Sequence, residues 1–234
     1  MTDSRLSFSI LPQPDETTCG PTCLHAVYQF FGDDVALPDV IAEVPTLQTG
    51  GTLGALLGCH ALDRGYRATL YTCNLHVFDP SWFRPHARPL PESLRRQAEV
   101  KDNPRLRFAT DAYIGFLDRG GRIRMEDLSP DLIRRYLRHQ IPVITGLSAT
   151  WLYQDARERV TDFKPDDIVG EPAGHFVVLS GYDAEARKVN IADPYTKHPH
   201  GEGQLYEIAL ERVLCATLLG IVTYDANLLI IRPK

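Results

Sequence analysis

Four residues of this sequence have the types and the spacing that acyl transfer by a thiol requires, namely Gln13, Cys19, His175 and Asp193. Cys19 lies in the segment TTCGPTC, at the predicted N-terminus of the first helix. The unpaired N–H groups and the positive dipole end of a helix favour the thiolate form of a cysteine in that position. Cys19 is therefore a candidate nucleophile.

A thiol nucleophile also needs a base, and the base needs a group that orients it. His175 begins the apolar segment HFVVLSGYD, and Asp193 ends the next one, KVNIADP, so the two segments predict a β-hairpin. Because the start of one strand and the end of the next are neighbours across a hairpin, we expect His175 and Asp193 to meet. Asp193 would then fix the imidazole tautomer and stabilise its charged form.

Gln13 precedes Cys19 by six residues, which allows its side-chain amide to lie beside the sulfur. Together with the backbone N–H of Cys19, this amide would form an oxyanion hole. A lone Cys-Gly-Pro or Gly-His is a weak signal, since buried cysteine is a common core residue. All four elements in this order are a much stronger signal and predict a papain-like active site.

The motifs Gln-x5-Cys-Gly-Pro-x-Cys, Gly-His-Phe-Val-Val-Leu and Ile-Ala-Asp-Pro resemble those of the bacteriocin-leader, or double-glycine, peptidases. These enzymes are family thirty-nine of the cysteine peptidases and belong to the papain-like clan. The resemblance implies four catalytic roles: Gln13 as the oxyanion-hole glutamine, Cys19 as the nucleophile, His175 as the histidine and Asp193 as the aspartate.

The resemblance covers most of residues 11–195, and this sequence differs from typical members of the family in two respects. Typical leader peptidases are the N-terminal domain of a membrane exporter, whereas this sequence has no membrane span and no nucleotide-binding motif, so it is more similar to stand-alone soluble members. It also has an insertion at about residues 77–129 that typical members lack. In papain, an aromatic residue two positions after the orienting asparagine shelters its bond to histidine, and Tyr195 has that offset here.

The elements that position these residues are predicted from hydrophobic periodicity. Apolar residues recur at helical spacing from Gly20 to Phe31, and Gly32 follows where a helix would end. Further helices are predicted at 38–44, 53–64, 91–100, 108–118, 132–137 and 208–218, and strands at 5–11, 67–73, 122–125, 141–148, 175–183, 188–194 and 227–232.

Helices come first along the chain and antiparallel strands later, which predicts an α+β fold with two layers. We expect a papain-like arrangement, with an N-terminal helical layer that carries the nucleophile packed on an antiparallel sheet that carries His175 and Asp193. Residues 1–234 are expected to form a single papain-like cysteine peptidase domain.

Composition narrows the class of protein. The chain has 234 residues, a formal net charge of −5 and a hydrophobic fraction of 44%, so it can bury a core and has no overall attraction to nucleic acid or anionic lipid. Residues 84–124 are locally basic, with ten Lys or Arg against five Asp or Glu. The polar N-terminus is unlike a secretory signal, and five irregularly spaced cysteines favour a reducing compartment. We therefore expect a cytoplasmic protein.

Other cysteines and histidines have side chains that could bind a metal or take part in redox chemistry. Cys59, His60, Cys73 and His76 have ligand side chains, but no Cys-x-x-Cys pair accompanies them, so we expect neither a metal nor a cofactor. Cys23 lies one helical turn after the candidate nucleophile, either as a resolving thiol or as a small core residue.

Two loops, 151–173 and 77–90, flank the catalytic elements in the sequence. The first is acidic and the segment beyond the second is basic, so a cleft between them would have opposite charges at its two ends. Aromatic residues of the first loop, Trp151 and Tyr153, either roof this cleft or pin the loop to the core. Gly50-Gly51 imitates the double-glycine at which leader peptidases cut and is expected to make a turn.

These observations lead to one main hypothesis, an intracellular thiol hydrolase that cleaves a peptide or amide bond through an acyl-enzyme on Cys19. A peptide or protein is the expected partner, without nucleic acid or membrane. Two alternatives stay open. The same acyl-enzyme would serve an amide-forming transferase, as in phytochelatin synthases, and an inactive peptide-binding module would keep the cleft without the chemistry.

Overall fold

The computed structural model describes residues 4–47 and 50–234. In this part of the chain the helices are α1 (Cys19–Phe30), α2 (Leu37–Glu43), α3 (Gly54–Asp63), α4 (Leu90–Val100), α5 (Pro104–Asp118), α6 (Pro130–Leu137), α7 (Ala149–Tyr153) and α8 (Leu210–Leu219). The strands are β1 (Ser4–Arg5), β2 (Arg67–Thr72), β3 (Arg122–Arg124), β4 (Val143–Ser148), β5 (Gly174–Asp183), β6 (Lys188–Ala192), β7 (Leu205–Ala209) and β8 (Asn227–Arg232). Short 3-10 turns cover Pro80–Phe83 and Gly220–Thr223.

The strands of the described residues form one sheet in the order β3-β2-β8-β4-β5-β6-β7, with β1 paired to β5. The pairs are antiparallel except for β2 and β3, which run parallel. β8 follows the other strands in the sequence but lies in the middle of the sheet, between β2 and β4. Every residue of β4 is buried, as expected for a strand covered on both faces.

Helix α1 forms where the apolar periodicity predicts it. Leu24, Val27 and Tyr28 are fully buried, since their spacing puts them on one face of the helix. The helix ends at Phe30, and Gly32 follows with a φ of +77°. Together with the sheet, this helix confirms the predicted α+β fold, in which a helical layer that carries Cys19 packs on the sheet.

A direct bond fixes α1 against β5. The thiol of Cys23 donates a hydrogen bond to the Phe176 carbonyl over 3.2 Å, and Cys23 has no exposed surface. Burial raises the pKa of the Cys23 thiol well above its usual value, so this sulfur is an unreactive core group rather than a resolving thiol.

The segment 77–129 contains the Pro80–Phe83 turn, α4, α5 and β3. Asn103 is the N-cap of α5. Its side-chain oxygen accepts a hydrogen bond from the Leu106 N–H over 3.0 Å. The Phe116 ring of α5 lies so close to Gly58 of α3 that a Cβ there would approach it to 2.4 Å. The prediction that this segment is an insertion in a single domain stays a prediction.

Two predicted elements differ from the structure. Of the strand predicted at 5–11, only Arg5 is in β1, although the Leu6 N–H still donates to the Ser180 carbonyl over 2.9 Å. Residues 205–209 form the edge strand β7, where the sequence predicted the start of a helix at 208. In the described part of the chain, no helix has the length and apolar character needed to cross a membrane.

Candidate active site

Cys19 is the first residue of α1 and is 8% exposed. The hydroxyl of Thr18 does not cap this helix; it donates to the Asp15 carbonyl over 3.2 Å and accepts from the Asp15 N–H over 3.3 Å. The first N–H groups of α1 are therefore left to the sulfur and to whatever binds beside it.

His175 is the second residue of β5, where it pairs with Leu147 of β4. Its Nε2 donates to Oδ1 of Asp193 over 2.8 Å, and the Cys19 side chain lies near enough to interact with the ring. Burial favours neutral imidazole, but the negative charges of Asp193 and Cys19 outweigh it and raise the pKa of His175 to about 10. The ring thus lies between a thiol and a carboxylate and is held in its charged form.

The register of the hairpin explains this contact. Val178 pairs with Ala192 across β5 and β6, so continuing the ladder by one residue puts Asp193 opposite Val177 and diagonal to His175, on the same face. Diagonal neighbours on one face of a sheet are within reach of longer side chains. The structure therefore brings three of the four predicted residues together.

Asp193 is completely buried, and four hydrogen bonds compensate its charge. Oδ1 accepts from His175 and from the Tyr195 backbone N–H over 2.9 Å. Oδ2 accepts from the Tyr153 hydroxyl over 2.8 Å and the Tyr206 hydroxyl over 2.7 Å. Burial alone would raise the pKa of Asp193, but the His175 charge and these hydrogen bonds lower it. The carboxylate can therefore stay ionised beside the imidazolium.

The sequence patterns do not identify two of these partners as ligands of Asp193. Tyr206 is in the edge strand β7, and Tyr153 ends α7, so Tyr153 pins its loop to the site while Trp151 is 42% exposed. Neither tyrosine carries a local sequence signal for this role, because each reaches Asp193 through the tertiary fold. Tyr195, singled out for its offset, lies edge-on to His175 with ring centroids 6.2 Å apart.

Gln13 lies beside the same end of the hairpin. Its backbone N–H donates to the Pro194 carbonyl over 2.9 Å, and its Nε2 donates to the Asp15 carbonyl over 2.8 Å. Its Oε1 is buried and has no partner among the described residues. Since the amide nitrogen carries two hydrogens, one is left for an oxyanion, and this role stays a prediction.

A cleft of about 480 Å³ opens beside Cys19 and His175. Its walls include residues of the predicted loop 151–173, of the turn 50–52 and of the segment 222–225. Gly50 and Gly51 form this turn, as expected, with φ values of +86° and +75°. The cleft walls include no residue of the loop 77–90, so the expectation of a cleft between the two loops is wrong.

The two histidines among the candidate metal ligands have other partners. Both ring nitrogens of His60 are bonded, Nδ1 to the Tyr28 hydroxyl over 2.8 Å and Nε2 to Glu43 over 3.0 Å. The His76 ring stacks on Tyr224 with centroids 5.6 Å apart. In residues 4–47 and 50–234, no three His, Cys, Asp or Glu side chains are grouped as ligands of one metal ion.

Comparisons with known proteins agree with the sequence motifs. Residues 123–212, which contain His175 and Asp193, match the sequence profile of the Peptidase_C39 like family. This match confirms the predicted resemblance to family thirty-nine of the cysteine peptidases. No curated protein matches the chain significantly.

Some solved structures are similar to this chain at low sequence identity. A candidate C39-like peptidase from Bacillus anthracis is 14% identical with a TM-score of 0.56, over 100% of this chain and 99% of that one. Xylellain, a cysteine protease from Xylella fastidiosa, is 16% identical with a TM-score of 0.48, over 99% and 86%. A double-glycine-motif protease from an AMS/PCAT transporter, solved in complex with the leader peptide, is 14% identical with a TM-score of 0.47, over 100% of both chains. The first of these likenesses supports the papain-like fold.

Proposed function

We propose that this chain, with its resemblance to family thirty-nine, is a thiol hydrolase that cleaves a peptide or amide bond through an acyl-enzyme on Cys19. The observation that carries the proposal is the His175 ring, which is bonded to Asp193 and has the Cys19 side chain near enough to raise the pKa of the imidazole. Nucleophile, base and orienting group in this order are the minimum that covalent acyl transfer requires.

In the proposed reaction the Cys19 thiolate attacks the substrate carbonyl, and the carbonyl π electrons move onto oxygen. The free N–H of Gln13 and the backbone N–H of Cys19 stabilise this oxyanion. The carbonyl re-forms as the C–N bond breaks, and the His175 imidazolium gives its proton to the leaving amine. Neutral His175 then takes a proton from water, the hydroxide attacks the thioester, and the Cys19 thiolate leaves.

Peptide cleavage tests this proposal directly. Wild-type protein and Cys19→Ala protein are incubated with a mixed peptide library, and new peptide termini are identified by mass spectrometry. We expect products with wild type and with the Cys215→Ala control, whose cysteine is exposed, and none with Cys19→Ala or His175→Ala. Gln13→Ala should slow turnover about a hundredfold through the loss of one oxyanion donor.

The same experiment separates the alternatives. Amide products that form only when an amine is added would indicate the transferase, and peptide binding without any product would indicate the inactive module. Products that persist in Cys19→Ala would contradict the assignment of Cys19 as the nucleophile, which the hydrolase and the transferase share.

The proposed partner is a peptide or protein, without nucleic acid or membrane. The five cysteines, Cys19, Cys23, Cys59, Cys73 and Cys215, are all unpaired. Free thiols are typical of reducing compartments, which supports the cytoplasmic part of the proposal.

A further inference from the structure

Asp225 is a buried carboxylate in the wall of the catalytic cleft. It lies between the Gly220–Thr223 turn and β8, where its backbone N–H donates to the Gly220 carbonyl over 2.9 Å. Only 5% of the residue is exposed, although it lines the same cleft as Cys19 and His175. A buried polar group beside a nucleophile needs an account of what compensates its charge.

The backbone around Asp225 leaves room for its carboxyl group. A Cβ on Gly174 would come within 3.1 Å of Oδ2, and a Cβ on Gly146 within 3.0 Å of Oδ1. Oδ2 lies beside Gly174 and Thr223, both of which line the cleft, and accepts from the Thr223 hydroxyl over 3.2 Å. Oδ1 is buried without a partner among the described residues. The two glycines thus make space for a carboxyl group that is only partly satisfied.

The nearby cations do not pair with Asp225. Arg105 donates to the Thr223 carbonyl over 2.7 Å and lies over the Tyr224 ring at 4.3 Å. His175 is bonded to Asp193, and none of the ion pairs in the described part of the chain includes Asp225. Burial therefore outweighs the Thr223 bond and the charges of Arg105 and His175, and raises the pKa of Asp225 to about 7.

Acidic residues also lie at the cleft mouth. Glu16 and Glu158 both line the cleft, and burial together with the charge of Glu16 raises the pKa of Glu158. The guanidinium of Arg159, on the same loop, is bonded to Asp162 over 2.6 Å. Carboxylates crowded close enough to perturb each other attract a positive group.

We propose, on the basis of the proposed function, that Asp225 is a specificity-determining residue that binds a substituted ammonium group of the substrate. An ammonium that enters the cleft would form a charge-assisted hydrogen bond with Oδ2 and supply the missing counter-charge. Glu16 and Glu158 attract such a substrate to the mouth. The ammonium belongs either to a free peptide N-terminus or to a lysine side chain close to the scissile bond.

Charge-matched thiol reagents test this inference without any knowledge of the substrate. The Cys19 thiolate attacks a methanethiosulfonate at the sulfur bound to its organic group, forms a mixed disulfide and releases methanesulfinate. We compare the rates of the 2-aminoethyl, methyl and 2-sulfonatoethyl reagents at Cys19, each divided by its rate with glutathione. Cys19→Ala protein gives the background from the other cysteines.

The 2-aminoethyl reagent should react with wild type roughly tenfold faster than the methyl reagent after this correction, and the 2-sulfonatoethyl reagent should react more slowly. Asp225→Asn should bring the first ratio close to one, while Asp102→Asn, whose side chain is 97% exposed, should leave it unchanged. A ratio of the 2-aminoethyl to the methyl rate near one in wild type would overturn the inference, as would a ratio that Asp225→Asn does not change. Rapid labelling of Cys19 in the same experiment would still support the proposed function.

A binding measurement tests the ammonium site even if Cys19 is unreactive. An unreactive Cys19 would count against the proposed function and not against the ammonium site. In the Cys19→Ala background, n-butylammonium chloride should raise the Tm relative to equal concentrations of sodium chloride and 1-butanol. Asp225→Asn should abolish this rise. An equal Tm in all three solutions would overturn the ammonium site.

Peptide pairs identify the source of the ammonium. One pair differs by acetylation of the N-terminus, and the other by lysine or norleucine near the scissile bond. A preference of about tenfold in kcat/KM for the charged member of either pair, lost in Asp225→Asn, supports the inference and names the source. No preference in both pairs would overturn it.

Discussion

The hydrogen bonds of Asp193 come from four separate places in the chain. His175 is in β5, Tyr195 follows β6, and Tyr153 and Tyr206 approach from α7 and β7. Together they satisfy both oxygens of a carboxylate that has no access to water. At the scale of single residues, the charge of the His175 ring depends on this set as well as on Cys19.

The first prediction concerns the labelling of Cys19. Because the pKa of His175 is raised to about 10, the imidazolium stays charged below that pH, and iodoacetamide should label Cys19 at a nearly constant rate from pH 6 to pH 9. In His175→Ala the rate should increase with pH, as for an ordinary thiol. Peptide mapping measures this, with exposed Cys215 as the internal control. Uniform labelling of all five cysteines at pH 6 would contradict the ion pair.

A second prediction at this scale concerns the stability cost of Asp225. Burial raises the pKa of Asp225 to about 7, against about 3.9 in an unfolded chain. The proton bound to Asp225 therefore stabilises the fold. This stabilisation is complete below pH ~4 and is lost as the pH rises through 7. Asp225→Asn removes the charge, so its gain in stability over wild type should be larger at pH 8 than at pH 5 by at least about 1 kcal/mol. His175, whose charge acts on Asp225, stays charged over this range because its pKa is raised to about 10.

Urea unfolding at the two pH values measures this difference, with Asp102→Asn as the exposed control. An equal change in the free energy of unfolding at pH 5 and pH 8 would show that the Asp225 carboxylate is not strained by burial. A residue that lowers stability and lines the cleft is typical of residues kept for their contribution to function.

At the scale of elements, β7 shows how a weak strand can serve the site. Only Tyr206 of its five residues is buried, and its hydroxyl bonds to Asp193. The strand completes the sheet beyond β6, and through this one side chain it also fixes the group that orients His175.

Tyr206→Phe should therefore lower kcat/KM about tenfold, since one hydrogen bond to a charged group is lost. It should also make Cys19 labelling depend on pH, because a less stabilised Asp193 holds the imidazolium less well. Asp193→Asn should be milder than Asp193→Ala, because an amide can still orient the ring. Tyr71→Phe, which removes a buried hydroxyl bonded to Tyr136 over 2.7 Å, is the matched control. If it reduced activity as much as Tyr206→Phe, the role of Tyr206 would be structural only.

The main elements could be predicted because their signals are local. The periodicity of α1, the Gly-His at the start of β5 and the Ala-Asp-Pro at the end of β6 all lie within a few residues of the groups they position. The contacts of Tyr153 and Tyr206 with Asp193 could not be predicted from the sequence, because each hydroxyl reaches Asp193 across the tertiary fold. β7 resembled the start of α8 because the segment LYEIAL runs from strand to helix without Gly or Pro to mark the boundary. Asp225 did carry a signal, as an acid just before an apolar strand.

At the scale of the whole molecule, charge is distributed differently from the sequence expectation. The basic segment 84–124 contributes only Arg105 to the cleft walls, and Arg105 is engaged with Thr223. Acidic residues are supplied by the loop before β5 and by the turn before α1. The cleft is therefore acidic at its mouth, where the order of the segments had suggested opposite charges at the two ends.

Salt should separate binding from chemistry. The kcat/KM for a cationic peptide should fall between 20 mM and 200 mM sodium chloride, because screening weakens attraction to the mouth, while kcat stays nearly constant. A neutral peptide of the same length is the control substrate. Equal salt dependence for both peptides would mean that the acidic mouth does not select for charge.

The position of β8 has a consequence for the timing of synthesis. This strand leaves the ribosome after the seven others, yet it joins β2 to β4 in the middle of the sheet. Until it arrives, the strand that carries His175 and the layer that carries Cys19 belong to an unclosed sheet. The Cys19 segment is therefore synthesised long before the strand that joins the two halves of the sheet.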